Sequence, residues 1–397
     1  MTGTGRPFRR QVFYIPGYDP FPPRRYRELY RTEGAAQAAI SGYSLRQRPL
    51  KADGPYGWIV AAQTDGVPSE SRIQILEWSD IVRKSMTAGI WATYALLART
   101  AWIYLSTGAL LRLFRLRAGP GIAAMYPVVM LLAQLLVAAL AAGAMGWALS
   151  FVLPGWAAYL LGMGVVWPVL EGFRRIDGKL FVHYLLLDFA FTAKHKGRNP
   201  PELEARLDDF AALIAAALAD PKLDEVLVVG HSSGVHLGVS VLGRVIAGNV
   251  PPGKLAFLSL GHAVPMQSYL PQAQGLRADL AALSQSDKLF WLDVTAPGDG
   301  CCYALCDPVA CSGAGSAGQK WPLMISAAFT QSLRPETYRK YKRRYFRLHF
   351  QYLCAFDAPK DYDYFQITAG PVSLAERFKG RKPSASVSRA CYLPRAA

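Results

Sequence analysis

The chain has 397 residues, enough for one large domain or two average ones, and 52% of them are hydrophobic, ample for a substantial core. Its 44 Lys and Arg against 28 Asp and Glu give a net charge of +16, but the basic residues show no zinc-finger spacing, RNA-binding aromatic signature or basic heptad helix, so nucleic acid is not the expected partner. No Asp, Glu, Lys or Arg occurs between Arg117 and Glu171; a gap of that length points to a membrane, whose anionic cytoplasmic leaflet attracts each nearby Lys or Arg by about 1 kcal/mol.

Met1 to Arg10 is polar and basic, and the apolar run after it stops at Pro16-Gly17, too soon for the core of a signal peptide, so no cleaved export signal is expected. Gln11 to Pro16 reads as a short buried strand closed by the turn Gly17-Tyr18-Asp19-Pro20. Apolar residues at helical spacing predict a helix from Arg24 to about Ile40, and Tyr43 to Leu50, Gly57 to Gln63 and Arg72 to Trp78 read as strands.

Ser85 to Leu116 is apolar but carries Arg99 and ends in Arg112, Arg115 and Arg117, so it is read as interfacial or peripheral to a membrane. Two stretches of spanning length follow, near 121–147 and 151–170, separated by the natural turn Leu153-Pro154-Gly155. Basic residues stand on both sides (Arg112, Arg115, Arg117; then Arg174, Arg175, Lys179) and none at the tip, so both ends of this hairpin are expected in the cytoplasm. If the strands around residues 12 and 226 share a sheet, the segment between them must cross the membrane an even number of times, and two crossings satisfy that.

Pro201 to Ala219 is an amphipathic helix with Glu202 and Glu204 in its first turn. Strand, helix, strand, helix and strand then alternate over Asp224–Gly230, Gly234–Ala247, Lys254–Leu260, Gln272–Leu283 and Lys288–Thr295, which implies a parallel sheet. The organisation expected is therefore 1–84 and 178–376 as two parts of one α/β domain, 85–177 as a membrane-associated helical insertion, and 377–397 as a loose basic tail.

The strand Glu225-Val-Leu-Val-Val runs through Gly230-His231-Ser232-Ser233-Gly234 into a helix, the context in which Gly-x-Ser-x-Gly presents a nucleophilic serine on a strained turn. This stretch resembles the nucleophile elbow of the α/β-hydrolase family, its lipases and esterases in particular, over residues 11–20 and roughly 201–350. The resemblance implies a mostly parallel sheet flanked by helices, here interrupted by a transmembrane hairpin, and a catalytic triad in the chain order Ser, acid, His. Ser232 is then the nucleophile. Among the six histidines His349 alone follows the expected acid and is taken as the base. Asp299, in the turn Pro297-Gly298-Asp299-Gly300 after the last predicted strand, is favoured as the acid over Asp293 and Asp307. The oxyanion donors implied are the N–H groups of Ser233 and of Tyr18, the latter following Ile15-Pro16-Gly17 with Pro16 where the family more often has His.

No metal or cofactor is expected. Cys301, Cys302, Cys306 and Cys311 lack paired Cys-x2-Cys ligation, and with Cys354 and Cys391 they suit reduced thiols of a cytosolic compartment. Gly313, Gly315 and Gly318 match a dinucleotide spacing but follow no strand. The basic run Arg339 to Arg344 is read as solvated surface, with contact to lipid phosphates the alternative. The function expected is a membrane-anchored serine hydrolase acting on a carboxylic ester, lipid-like substrates included, with membrane lipids as its surroundings. Two rival readings stand beside it: an acyltransferase with the same triad, or a non-catalytic module of a membrane assembly.

Overall fold

Eight strands pair in one sheet among the described residues, which in this computed structural model are 6–51, 54–86 and 89–394. They are β1 (Phe8–Ile15), β2 (Ser44–Pro49), β3 (Gly57–Thr64), β4 (Val67–Ile75), β5 (Glu225–His231), β6 (Leu255–Leu260), β7 (Leu289–Thr295) and β8 (Leu323–Ser326), ordered β2-β3-β4-β1-β5-β6-β7-β8. From β4 to β8 every neighbouring pair is parallel, and β2 and β3 complete one edge as an antiparallel meander. The polar start read over Met1 to Arg10 lies partly, in residues 1–5, outside the described residues.

Period-2 alternation explains why the strands look apolar throughout. Val12, Tyr14, Leu227, Val229 and Leu258 pack into one core on one face, while Phe13, Ile15, Val226, Val228 and Phe257 pack into a second core on the other. Both faces are therefore buried under helices. On the second face these are Pro201–Ala219, Gly234–Ala247 and Gln274–Gln285, which contribute Leu207, Val241 and Leu280 among others. Burying a Val or Leu side chain contributes about 1.5–3 kcal/mol, so this double layer is the main support of the strand ends.

β1 is where the chain's growth reverses. After β1 it builds β2, β3 and β4 on one side, then returns to add β5 beside β1 on the other, with Val12 opposite Leu227. In open α/β sheets ligands bind beyond the carboxyl ends of the strands at such a reversal. Here those ends lead into Gly17-Tyr18 and into Ser232.

Between β4 and β5 lie mostly helices. Ser85–Leu116 breaks into two, Ile90–Ser106 and Ala109–Leu116, at Gly108, whose φ of 67° is left-handed. Ala118–Leu149 and Gly155–Arg175 are long and apolar enough to cross a membrane, and only 22% and 28% of their most apolar windows is buried. Core helices of a soluble domain would be mostly covered; here Leu136, Leu140, Leu160 and Trp167 are exposed along the shafts, with Trp147, Phe151, Val152 and Trp156 at the turn.

Four features differ from the sequence reading. β4 runs Val67–Ile75, where the reading put a strand over Arg72 to Trp78. The Val182–Lys194 helix and the four-residue β8 carry too little periodicity to announce themselves. The tail is docked rather than loose: Ser384 N–H donates to the Met324 carbonyl at 2.9 Å, and Ser388 N–H to that of Leu305 at 2.8 Å. The unpaired backbone at the β8 edge of the sheet supplies the Met324 partner, and the loop after β7 supplies Leu305.

Candidate active site

β5 is wholly buried, and its chain must turn sharply to enter the Gly234–Ala247 helix. Ser232 takes that turn at φ 59°, a left-handed conformation that a non-glycine residue holds only where its surroundings enforce it. Backbone bonds do so: Ser232 N–H donates to the Leu260 carbonyl at 3.0 Å, and Val235 N–H to the Ser232 carbonyl at 3.2 Å. Gly234 is required by space, since a Cβ there would lie 2.2 Å from the carbonyl oxygen of Ile15. The motif's last glycine thus lets β1 run close against the elbow.

His349 ends a short helix, Tyr345–His349, and is buried. Its Nδ1 lies 2.7 Å from Asp299 Oδ2. Asp299 is buried in the loop after β7 and accepts two further bonds, from Tyr352 Oη at 3.1 Å and from Cys301 N–H at 2.9 Å. Burial alone would raise its carboxyl, but the His349 charge and hydrogen bond outweigh that and hold it below the ordinary carboxylate range. On the other side of the ring, His349 Nε2 is buried with no hydrogen-bond partner among the described residues. With Nδ1 donating to Asp299, that nitrogen is the free acceptor, and Ser232 lines the same cavity of about 60 Å³.

The two rival acids are engaged elsewhere. Asp293 points within the sheet and accepts from Ser259 Oγ at 2.5 Å, while burial pushes its carboxyl well above the ordinary range. Asp307 caps the Pro308–Cys311 helix through the N–H groups of Val309 and Ala310.

Gly17 brings the end of β1 against the elbow, where a Cβ would sit 3.0 Å from Ser232 Cβ. The adjacent Tyr18 N–H donates to Ser233 Oγ at 2.8 Å, so a second-row hydroxyl accepts from the donor that sequence pattern assigned to an oxyanion. Tyr18 is fixed by its own side chain, whose hydroxyl pairs with that of Ser85 at 2.6 Å.

Two residues of the cavity escaped sequence reasoning. His231, the variable position of Gly-x-Ser-x-Gly, has its Nε2 3.0 Å from the His349 carbonyl oxygen and its ring 4.7 Å from the His349 ring. Burial, then the neighbouring His349 charge, lowers its pKa to about 3, so it is a neutral donor to that carbonyl. Asp188, on the Val182–Lys194 helix, lines the cavity, and burial raises its pKa to about 7. No motif marks Asp188, and the Gly-x-Ser-x-Gly motif assigns His231 no role; their contacts are made far along the chain.

Ligand atoms of Asp299, Cys301 and His349 lie within 4.8 Å of one another, which invites a metal. The direct 2.7 Å Asp299–His349 contact fits a shared proton better, because two atoms each about 2.1 Å from a tetrahedral ion would stand about 3.4 Å apart. Burial also pushes the Cys301 thiol up, favouring the neutral form that binds metal poorly. All six cysteines are unbridged.

Comparisons with protein-family models, with curated proteins and with solved structures find no match. The site therefore combines a half-buried serine on an enforced turn, a histidine with one nitrogen tied to a carboxylate and the other open, and a cavity at the reversal point of a parallel sheet.

Proposed function

We propose that this chain is a membrane-anchored serine hydrolase of the α/β-hydrolase type, cleaving a carboxylic ester through an acyl-enzyme on Ser232. The observation that carries the reading is Ser232 at φ 59° on the β5–helix turn, beside the same cavity as a His349 already oriented by Asp299.

Ser232 Oγ attacks the ester carbonyl carbon as its proton passes to His349 Nε2; the imidazolium so formed is stabilised by Asp299, which stays ionised. Negative charge on the carbonyl oxygen is met by Ser233 N–H, at the start of the helix, and by Tyr18 N–H once Ser233 Oγ turns away. Collapse of the intermediate breaks the bond to the alcohol oxygen, which leaves with the proton from His349. Water, deprotonated by the same nitrogen, then frees the acid and restores Ser232.

The hairpin of Ala118–Leu149 and Gly155–Arg175 is the anchor in this reading. Support comes from its exposed apolar shafts and from basic residues on both flanks with none at the tip, so the sheet lies on the cytoplasmic side. Pro120 and Ala123 of the first span also line the catalytic cavity, which sets the chemistry beside the bilayer surface.

The deciding experiment is labelling of the purified chain with a fluorophosphonate probe. Wild type should be labelled once, Ser232→Ala not at all; labelling that survives in Ser232→Ala would remove the proposal.

A further inference from the structure

The catalytic cavity is lined by acidic side chains, against the basic balance of the chain. The protein carries 44 Lys and Arg, but among the described residues none lines this cavity; its acids are Asp19 and Asp188. Asp19 is already engaged, accepting from Tyr26 Oη at 2.5 Å and Phe21 N–H at 2.9 Å, with the Arg25 guanidinium 4.0 Å away. Asp188 differs: its carboxyl makes no hydrogen bond or ion pair among the described residues, and the charged neighbour acting on it is His349.

Around this carboxyl the walls are aromatic. Tyr18, Tyr184, Phe189, Tyr303, Phe346 and Phe350 line the cavity, and Tyr184, Phe346, Phe350 and Asp19 also line an adjoining groove of about 840 Å³. A carboxylate held among rings without a counter-ion is costly, and a hydroxyl on the substrate would bond to it without cancelling its charge. An ammonium group does both, because it neutralises the carboxylate and is attracted to the ring faces. A neutral fatty ester gives this carboxyl no purpose.

We propose that the cavity selects esters bearing an ammonium group, held by Asp188 and the surrounding rings while Ser232 attacks the carbonyl. This rests on Ser232 being the nucleophile. It assigns the substrate class to the site: an ester of an amino alcohol, or one whose acyl part carries an amine.

The test uses the full chain in uncharged detergent and two fluorophosphonates that differ in one arm, trimethylammonioethyl in one and the uncharged 3,3-dimethylbutyl in the other. Their labelling rates, read by intact mass, are expected to differ about tenfold in favour of the cation. Asp188→Asn should bring the ratio of the two rates close to one. In wild type, tetramethylammonium should also slow labelling by the uncharged probe, a readout that needs no variant. Equal rates in wild type, or an unchanged ratio in Asp188→Asn, would overturn the ammonium site and leave the hydrolase reading standing. Labelling by neither probe, or labelling that persists in Ser232→Ala, would instead overturn the hydrolase reading, and the ammonium site with it.

Discussion

His231 holds the backbone of His349. Its Nε2 sits 3.0 Å from the His349 carbonyl oxygen, and the two rings lie 4.7 Å apart, so the residue just before Ser232 also fixes the loop that carries His349. Since burial keeps His231 neutral down to about pH 3, its contact persists wherever the enzyme would work. His231→Leu should lower kcat about tenfold or more with KM nearly unchanged, because the substrate site stays while the base drifts. His231→Gln, which keeps an amide donor, should recover part of the loss. Equal losses in both variants would mean that the ring only fills space.

The Asp299–His349 pair should behave as a unit. Asp299→Asn is expected to cost on the order of 10⁴ in kcat by disfavouring the tautomer with an open Nε2, with His349→Ala at least as severe. Tyr352→Phe removes the 3.1 Å bond to Asp299 but leaves Cys301 N–H in place, so a loss of about tenfold is expected. Rates of fluorophosphonate labelling rank these variants, and a Tyr352→Phe loss as large as that of Asp299→Asn would contradict the assignment.

Gly17 and Ser233 separate the two sides of the oxyanion site. A Cβ at Gly17 would meet Ser232 Cβ at 3.0 Å and displace Tyr18 N–H, so Gly17→Ala should lose about 10²–10³ in kcat. Ser233→Ala removes the hydroxyl that accepts from Tyr18 N–H and should cost less than tenfold. Steady-state kinetics on one ester decides this, and the reverse ranking would show that Tyr18 N–H is not the second donor.

Asp188 should leave a mark on stability. Burial raises its carboxyl to about 7 from an unfolded value near 4, so between those values the folded chain keeps a proton that the unfolded chain has released, and stability falls as pH rises through that window. The groups facing it besides His349 are Cys301, Tyr18, Tyr104 and Tyr184, whose thiol and phenols are all shifted upward and stay neutral there. Asp188→Asn should therefore melt a few degrees above wild type at pH 8 and show a smaller gain at pH 5. The same difference at both values would mean that Asp188 is not the group titrating.

The topology is open to cysteine labelling. With exposed Cys391 replaced by Ser, single cysteines at the exposed positions Arg24 and Lys382 should react from the same side of the membrane, and one at Val152 in the hairpin turn from the other. Arg24 and Lys382 on opposite sides would exclude a two-span anchor.

The sequence by itself determined what depends on neighbours along the chain. The period-2 strands, the helix over Arg24–Ser41, the charge-free spans and the strand–turn–helix around Ser232 are all set by residues within a few positions; the helix and the strand–turn–helix were legible to within a residue, the spans and β4 only to within about five. The turn after Ser232 needs Gly234 for a reason the motif only hints at, the carbonyl of Ile15 on a strand more than 200 residues earlier.

Tertiary structure decided what depends on convergence. Asp293, Asp299 and Asp307 are near neighbours in sequence, and what separates them is which one reaches His349, some 50 residues on. Asp188 carries no local pattern, and the motif around His231 leaves its own position variable, since a carboxyl without a counter-ion and a ring braced on a distant carbonyl exist only once three elements have packed around them. Periodicity records which face a residue presents; the partner that meets it there is fixed by how the sheet brings β1, β5 and the C-terminal loops to one edge.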